Sequence, residues 1–125
     1  MTDLKRDEIK YVRDFAKSTY KKDTQCYICG TEEELQFHHF YTMTLLWKKW
    51  KQEKGVIICC VDDILKHREV FKVDHHEEIY NQTVTLCKEH HMNKLHKVYG
   101  KTPSLATGPK QARWCDKQRV KILGE

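Results

Sequence analysis

The sequence predicts a small α+β protein in which two short strands and a helix are pinned by a metal and further helices pack around them. Three observations carry this. Cys26-x-x-Cys29 and Cys87-x-x-His90 are two ligand pairs with the spacing of a zinc site. Residues 35–40 and 83–86 alternate as short strands do, each just before or after such a pair. Helical periodicity fills much of the remainder. With 125 residues the chain has the length of one small domain. Only 39% of it is hydrophobic and 33% is charged, a balance for which a metal staple compensates.

Residues 3–20 read as an amphipathic N-terminal helix. Leu4, Val12, Phe15, Ala16 and Thr19 share one side, and Asp3 is a candidate N-cap. Residues 21–31 are polar and hold the first cysteine pair in a tight turn, with Gly30 free to fold back around a metal. The first strand follows at Leu35-Gln36-Phe37-His38-His39-Phe40. Residues 42–54 form a helix carrying Leu46, Trp47 and Trp50, stopped by Gly55. Two tryptophans so spaced read as core or partner surface rather than as base-stacking wedges. The apolar run 56–61 is too short to assign by period, and residues 62–80 are charged and mostly helical. Residues 41–80 together are expected to be a helical insertion. Thr83-Val84-Thr85-Leu86 is the second strand, and residues 88–99 are a helix ended by Gly100. A loop with Pro103 leads to a last basic helix, residues 109–122, within a C-terminal extension at 101–125.

Six cysteines raise the question of disulfides. The N-terminus shows no apolar signal segment, and no run approaches the ~20 residues of a membrane span. An intracellular, reducing setting with no membrane partner is expected, where Cys-x-x-Cys means metal more often than disulfide. The expected structural zinc ligands are Cys26, Cys29, Cys87 and His90. Cys59 and Cys60 are rivals, but adjacent cysteines in an apolar run read as buried small hydrophobes, and Cys115 is spare.

Six of the eight histidines fall in adjacent pairs. His75-His76 has acidic neighbours and no flanking strand or cysteine pair, so it reads as a solvated helix end; His67 is similarly placed. His38-His39 ends a strand, and His91 follows zinc ligand His90. A zinc joining the two cysteine pairs would bring His38, His39 and His91 together.

The set Cys26-x-x-Cys29, Leu35-x-x-His38-His39, Asn81, Leu86-Cys87-x-x-His90-His91 resembles the zinc-stapled branch of the HNH, or ββα-metal, nuclease family. The resemblance covers residues 26–40 and 81–99, about a third of the chain. It implies a small ββα-metal core with a structural zinc, flanked by additional helices, in a single domain spanning residues 1–125. It implies an endonuclease that leaves 5′-phosphate and 3′-hydroxyl ends. By the same resemblance His38 and His91 bind a catalytic divalent metal, His39 is the general base, and Asn81 braces the loop that aims it. Asn81 stands six residues before Cys87, where the family more often has five, and Gln82 is the neighbouring alternative. A third histidine ligand in the family usually lies four residues after the first. Here the candidate is His96, five after His91, which turns it about 140° away on an ideal α-helix. Either the helix is locally distorted or His96 contacts phosphate rather than metal. Imidazoles suit Zn2+, Ni2+ or Mn2+ at least as well as Mg2+.

The net charge of +5 is compatible with a polyanion, and DNA, double-stranded, is the expected partner. Lys94, Lys97, Lys101 and Arg113 are the candidate phosphate contacts; a solvated basic face is the plain alternative. Small stand-alone members of the family are often encoded by phages or mobile elements, some as homing endonucleases, which would place this one in a host cytoplasm. The rival class is a non-catalytic zinc module that recognises nucleic acid or protein. Such a module would keep Cys26, Cys29, Cys87 and His90 and have no use for His38, His39 and His91.

Overall fold

A computed structural model describes residues 4–17 and 19–124. The candidate cap Asp3 and the Leu4 side chain lie outside what it describes. The architecture is α+β. Helix α1 (Leu4–Lys17) is followed by the cysteine turn and strand β1 (Leu35–His39). Helices α2 (Met43–Lys54) and α3 (Val61–Asp74) come next, then a π-helical turn, Glu77–Asn81. Strand β2 (Thr83–Cys87) pairs antiparallel with β1, from Leu35 opposite Cys87 to His39 opposite Thr83. A π-helical stretch, Glu89–Leu95, runs into the single turn α4 (His96–Tyr99), and α5 (Gly108–Leu123) closes the chain.

Two apolar cores divide the molecule. The first gathers Val12 and Ala16 of α1 with Met43, Leu46, Trp47, Trp50, Ile64, Phe71 and Ile79. All but two of these come from residues 41–80, so that segment supplies most of this core. Trp47 and Trp50 are buried and stack on each other at 5.3 Å. Burying an indole leaves its N–H in need of a partner. Glu8 of α1 accepts from Trp47 Nε1 at 2.6 Å, and Asp74 accepts from Trp50 Nε1 at 2.8 Å. The tryptophans are therefore core, and cannot stack on bases.

The second core is smaller: Cys26, Ile28, Phe40, Leu86, Cys87, Leu95 and Cys115. The cysteine turn docks on β2 through Tyr27 N–H to the Thr85 carbonyl, 2.9 Å. Helix α5 seals the other side. Arg119 lies over the Tyr27 ring and donates to its carbonyl at 2.7 Å, and the Tyr27 hydroxyl donates to Asp116. Tyr41 packs against both cores. A Cβ on Gly108 would lie 2.8 Å from the Tyr41 ring, so only glycine lets α5 start this close.

The helix ends follow the sequence signals: Gly55 takes φ 65° and Gly100 φ 90°. Cys59 and Cys60 do not, because they are exposed rather than buried. In the run 56–61, Val56 and Ile58 pack inward while Ile57 is 78% exposed. The chain there crosses the surface before α3, and Asp63 accepts from the Cys59 N–H. Cys115 is buried, and burial pushes its thiol up to about 12, which keeps it protonated.

Candidate metal centre

Two clusters lie side by side. In the first, ligand atoms of Cys26, Cys29, Cys87 and His90 all fall within 4.8 Å of one another. The Cys29 and Cys87 sulfurs are 3.8 Å apart, and His90 Nδ1 lies 3.3 Å from Cys87 Sγ and 3.9 Å from Cys26 Sγ. A tetrahedron with metal–sulfur bonds of about 2.3 Å has sulfur–sulfur edges of about 3.8 Å, so the set fits a zinc. The turn presents Cys26 and Cys29 because Gly30, at φ 78°, returns its N–H to the Cys26 carbonyl. Burial opposes ionisation of Cys26, but backbone groups of Cys29, Cys87 and Ile28 outweigh it and hold the thiol below its usual range. Burial and the neighbouring Cys26 push Cys87 up to about 11, so it ionises only against a cation.

The second cluster joins His38, His91 and His96. The α-helical expectation separated His91 from His96, but the backbone here is π-helical. The His96 N–H bonds the His91 carbonyl, five residues back. That register sets side chains five apart over one another. His96 Nε2 lies 3.1 Å from His91 Nε2, and His38 Nδ1 lies 3.0 Å from the same atom. With bonds of about 2.0–2.1 Å to one shared ion, these separations correspond to angles of about 90–100°.

Each ring is held from behind. His38 Nε2 lies 2.7 Å from Gln111 Oε1. Gln111 Nε2 donates to the Phe40 carbonyl and Thr107 Oγ1, which fixes its oxygen toward His38. His91 Nδ1 lies 2.7 Å from Gln36 Oε1, and His96 Nδ1 lies 2.8 Å from the Gly100 carbonyl. These outer nitrogens face oxygen acceptors and so carry the protons. The inner nitrogens then point lone pairs at one another with no hydrogen between them. That arrangement suits a cation. Burial also disfavours a proton there, holding His38 down to about 3 and His91 down to about 4. The residues fit a divalent metal, and the outer contacts are those that orient metal-bound imidazoles.

His39 points to the opposite face of β1, as strand alternation requires. Its ring packs on Tyr20 and Phe37 at 5.0 and 5.2 Å. Burial lowers it to about 4, opposed by the backbone of Ile79. Its Nε2 is buried without a hydrogen-bond partner. Burial pushes the Tyr20 phenol far above its usual range, so Tyr20 is no rival base.

Asn81 is exposed, and its amide donates to Glu77 at 2.6 Å. The Gln82 amide donates to the same carboxylate, so both bracing candidates clamp the π-helical turn that carries Ile79. Lys94, Lys97 and Lys101 line an open groove of about 710 Å3 that reaches His96. Arg113 is exposed on α5 and is not among that groove's lining residues. His75 is half-buried, 3.3 Å from Glu78 and apart from both clusters. Reading the sequence missed Gln36 and Gln111. Gln36 was within reach, since it stands two residues before His38 on the same strand face.

Cysteine and histidine groups that could hold metal ions, beside a lysine-lined groove on an α+β scaffold, suit a hydrolase of a polyanion. The chain matches the family model of the phage T5 nicking endonucleases over residues 1–125, and it belongs to that nicking endonuclease family. It is therefore a phage-type DNA endonuclease. No solved structure matches it. None of the described helices is long and apolar enough to cross a membrane.

Proposed function

We propose that this chain is a zinc-stabilised HNH (ββα-metal) endonuclease that nicks DNA, leaving 5′-phosphate and 3′-hydroxyl ends. The observation that carries the reading is the convergence of His38 Nδ1, His91 Nε2 and His96 Nε2, each ring anchored through its other nitrogen. Cys26, Cys29, Cys87 and His90 hold the structural zinc and fix β2 and the π-helical stretch that positions the histidines. A divalent ion on the three imidazoles would supply positive charge for the non-bridging and leaving oxygens of the phosphodiester.

His39 is the general base. It is neutral, and its buried Nε2 makes no hydrogen bond in the protein, which leaves a lone pair for a proton from the attacking water once substrate and water reach it. Asn81 acts one step removed, as a positioning residue. Through Glu77 it holds the turn that sets Ile79 against the His39 ring. Lys94, Lys97 and Lys101 hold DNA phosphates beside His96, and Arg113 extends the basic surface along α5. There is one histidine triad among the described residues, which suits cleavage of one strand per encounter. The protein works in the host cytoplasm, a reducing setting that suits cysteines outside disulfides, three of them zinc ligands.

Supercoiled plasmid incubated with Mg2+, Mn2+, Ni2+ or Zn2+ tests this. The wild type is expected to yield open-circle product with at least one metal and none with chelator. His39→Ala is expected to lose roughly 10²–10⁴-fold in rate while keeping zinc and fold. Normal cutting by His39→Ala removes His39 as the base. An inert wild type under every metal leaves the non-catalytic zinc module as the reading.

A further inference from the structure

The basic groove beside His96 lies on one side of the histidine cluster. A second concavity, between α1 and β1, is lined by His39 and by none of the three clustered histidines, and the metal chemistry does not explain it. It encloses about 590 Å3. Three cations line it: Arg13 and Lys17 from α1 and Lys22 from the segment after it. Among the described residues, no acidic one lines it. Its aromatic wall is Tyr20 on Phe37, stacked at 4.5 Å. Along β1 it runs from Gln36, which anchors the metal-facing His91, to His39 with its unpartnered Nε2.

A pocket with three positive groups and no negative one suits an anion, and three cations drawn from α1 and the segment after it suit a chain of anions rather than a single small one. The aromatic wall offers sugars and bases an apolar surface. We propose that this cavity is a DNA-backbone subsite in which Arg13, Lys17 and Lys22 hold the phosphates next to the one presented to His39. This rests on the reading of His39 as the base. The strand then crosses the ligand cluster from the α1 cavity to the Lys94, Lys97 and Lys101 groove. In this arrangement α1 is part of the substrate surface as well as of the first core.

The test is fluorescence anisotropy of a short fluorescein-labelled DNA duplex against full-length His39→Ala protein, which binds without cutting. Arg13→Ala, Lys17→Ala and Lys22→Ala are combined. A control removes the same charge at exposed positions outside the cavity, with Lys48→Ala, Lys49→Ala and Lys66→Ala. The cavity variant is expected to bind at least tenfold more weakly near 0.1 M salt. Its slope of log Kd against log salt is expected to fall by roughly 2–3, about 0.9 for each phosphate no longer neutralised. The control is expected to change far less. Replacing the three by Lys, Arg and Arg instead, which keeps the charge, is expected to retain binding. Equal losses in the cavity and control variants, or none in either, overturn the subsite. If the triple variant loses its zinc, the single variants Arg13→Ala and Lys17→Ala carry the same measurement, each lowering the slope by about 0.9. Plasmid cleavage is read separately. A wild type that never cuts, together with a cavity variant that binds weakly, sinks the nuclease reading and leaves the subsite. A wild type that cuts, together with a cavity variant that binds like the control, does the reverse.

Discussion

The α1–α3 half of the molecule and the half that carries the ligands are closed in different ways. Around Trp47 and Trp50 the interior is large hydrocarbon, with indole N–H groups satisfied by Glu8 and Asp74. Around Cys26 and Cys87 the interior holds four aliphatic or aromatic side chains and three cysteines, and it borders six further potential ligand or base side chains. A fully buried large apolar side chain contributes about 1.5–3 kcal/mol, and the second core has few of them. A metal on its cysteine and histidine groups would supply what that core lacks. The difference shows how a short chain can keep rigid, polar, charge-demanding chemistry in place. One half supplies a conventional core, and the other places groups that could hold metal ions where further core would be. Tyr41, shared by both, and the Thr42 hydroxyl bonded to the Pro103 carbonyl join them.

The largest expected effect breaks this arrangement at the zinc. A structural zinc contributes an apparent ~10–16 kcal/mol at neutral pH in small zinc peptides. A domain has only about 5–15 kcal/mol in total. Cys26→Ser should therefore lose the metal and the fold together, and the shared Tyr41 should carry the loss into the tryptophan core. Zinc content and far-UV circular dichroism check it. A folded, zinc-loaded Cys26→Ser protein would remove Cys26 from the site and make the second core self-sufficient.

Much of the ligand half was legible because zinc spacing is local. Two residues between ligands in a turn, or between a strand end and a helix start, is a pattern that survives without knowledge of the fold. The strands were legible for the same reason: Leu35 to His39 and Thr83 to Cys87 pair as the alternation implied. His96 was only half legible. Its distance in sequence was visible, but the hydrogen-bond register that brings it over His91 is a backbone property with no side-chain signature. Gln111 was illegible, since it reaches His38 across 73 residues from a helix that read simply as basic. Cys59 and Cys60 misled because an apolar run says nothing of its surroundings until the helices beside it are placed. His38 and His91 do not share this problem, since their adjacency to a strand end and to the second cysteine–histidine pair was itself the clue; His39, expected beside them, instead faces the other side of β1 and lies outside the cluster.

Acid should separate the halves next. His38, His39 and His91 are all held neutral by burial, the first to about 3 and the others to about 4. An unfolded histidine titrates near ~6.5. Below that pH the unfolded chain binds protons that the folded chain refuses, so unfolding is favoured. The stability these rings contribute is complete above about pH 6.5 and is lost as pH falls toward about 4 for His39 and His91 and toward about 3 for His38. Without added divalent metal, the melting temperature should drop by several degrees between about pH 7 and pH 5. His39→Gln should flatten part of that slope. A midpoint that stays level across the interval would mean these rings are not sealed from protons, and the contrast with the tryptophan core would lose its electrostatic side.

The smallest effect expected is also the most selective. Gln111 is fully buried on α5, far in sequence from every ligand, and it touches the cluster only through His38 Nε2. Its amide is oriented by two donated bonds, so its oxygen can only accept. Removing such a partner frees the imidazole to turn or change tautomer, and outer-shell losses of this type weaken metal binding about 10–100-fold. Gln111→Ala should lower the affinity for the second metal by that factor, read by calorimetric titration of Mn2+ or Ni2+ into zinc-loaded protein. The zinc itself should stay, because no hydrogen bond among the described residues joins Gln111 to Cys26, Cys29, Cys87 or His90. Gln111→Glu keeps an acceptor facing His38 and should recover part of the affinity, although it gives up the bonds to Phe40 and Thr107. Loss of both metals in Gln111→Ala would mean that α5 holds the ligand half together as a whole. Loss of neither would mean that His38 is oriented by its packing on Phe40, 5.7 Å between rings, and needs no partner from the C-terminal helix.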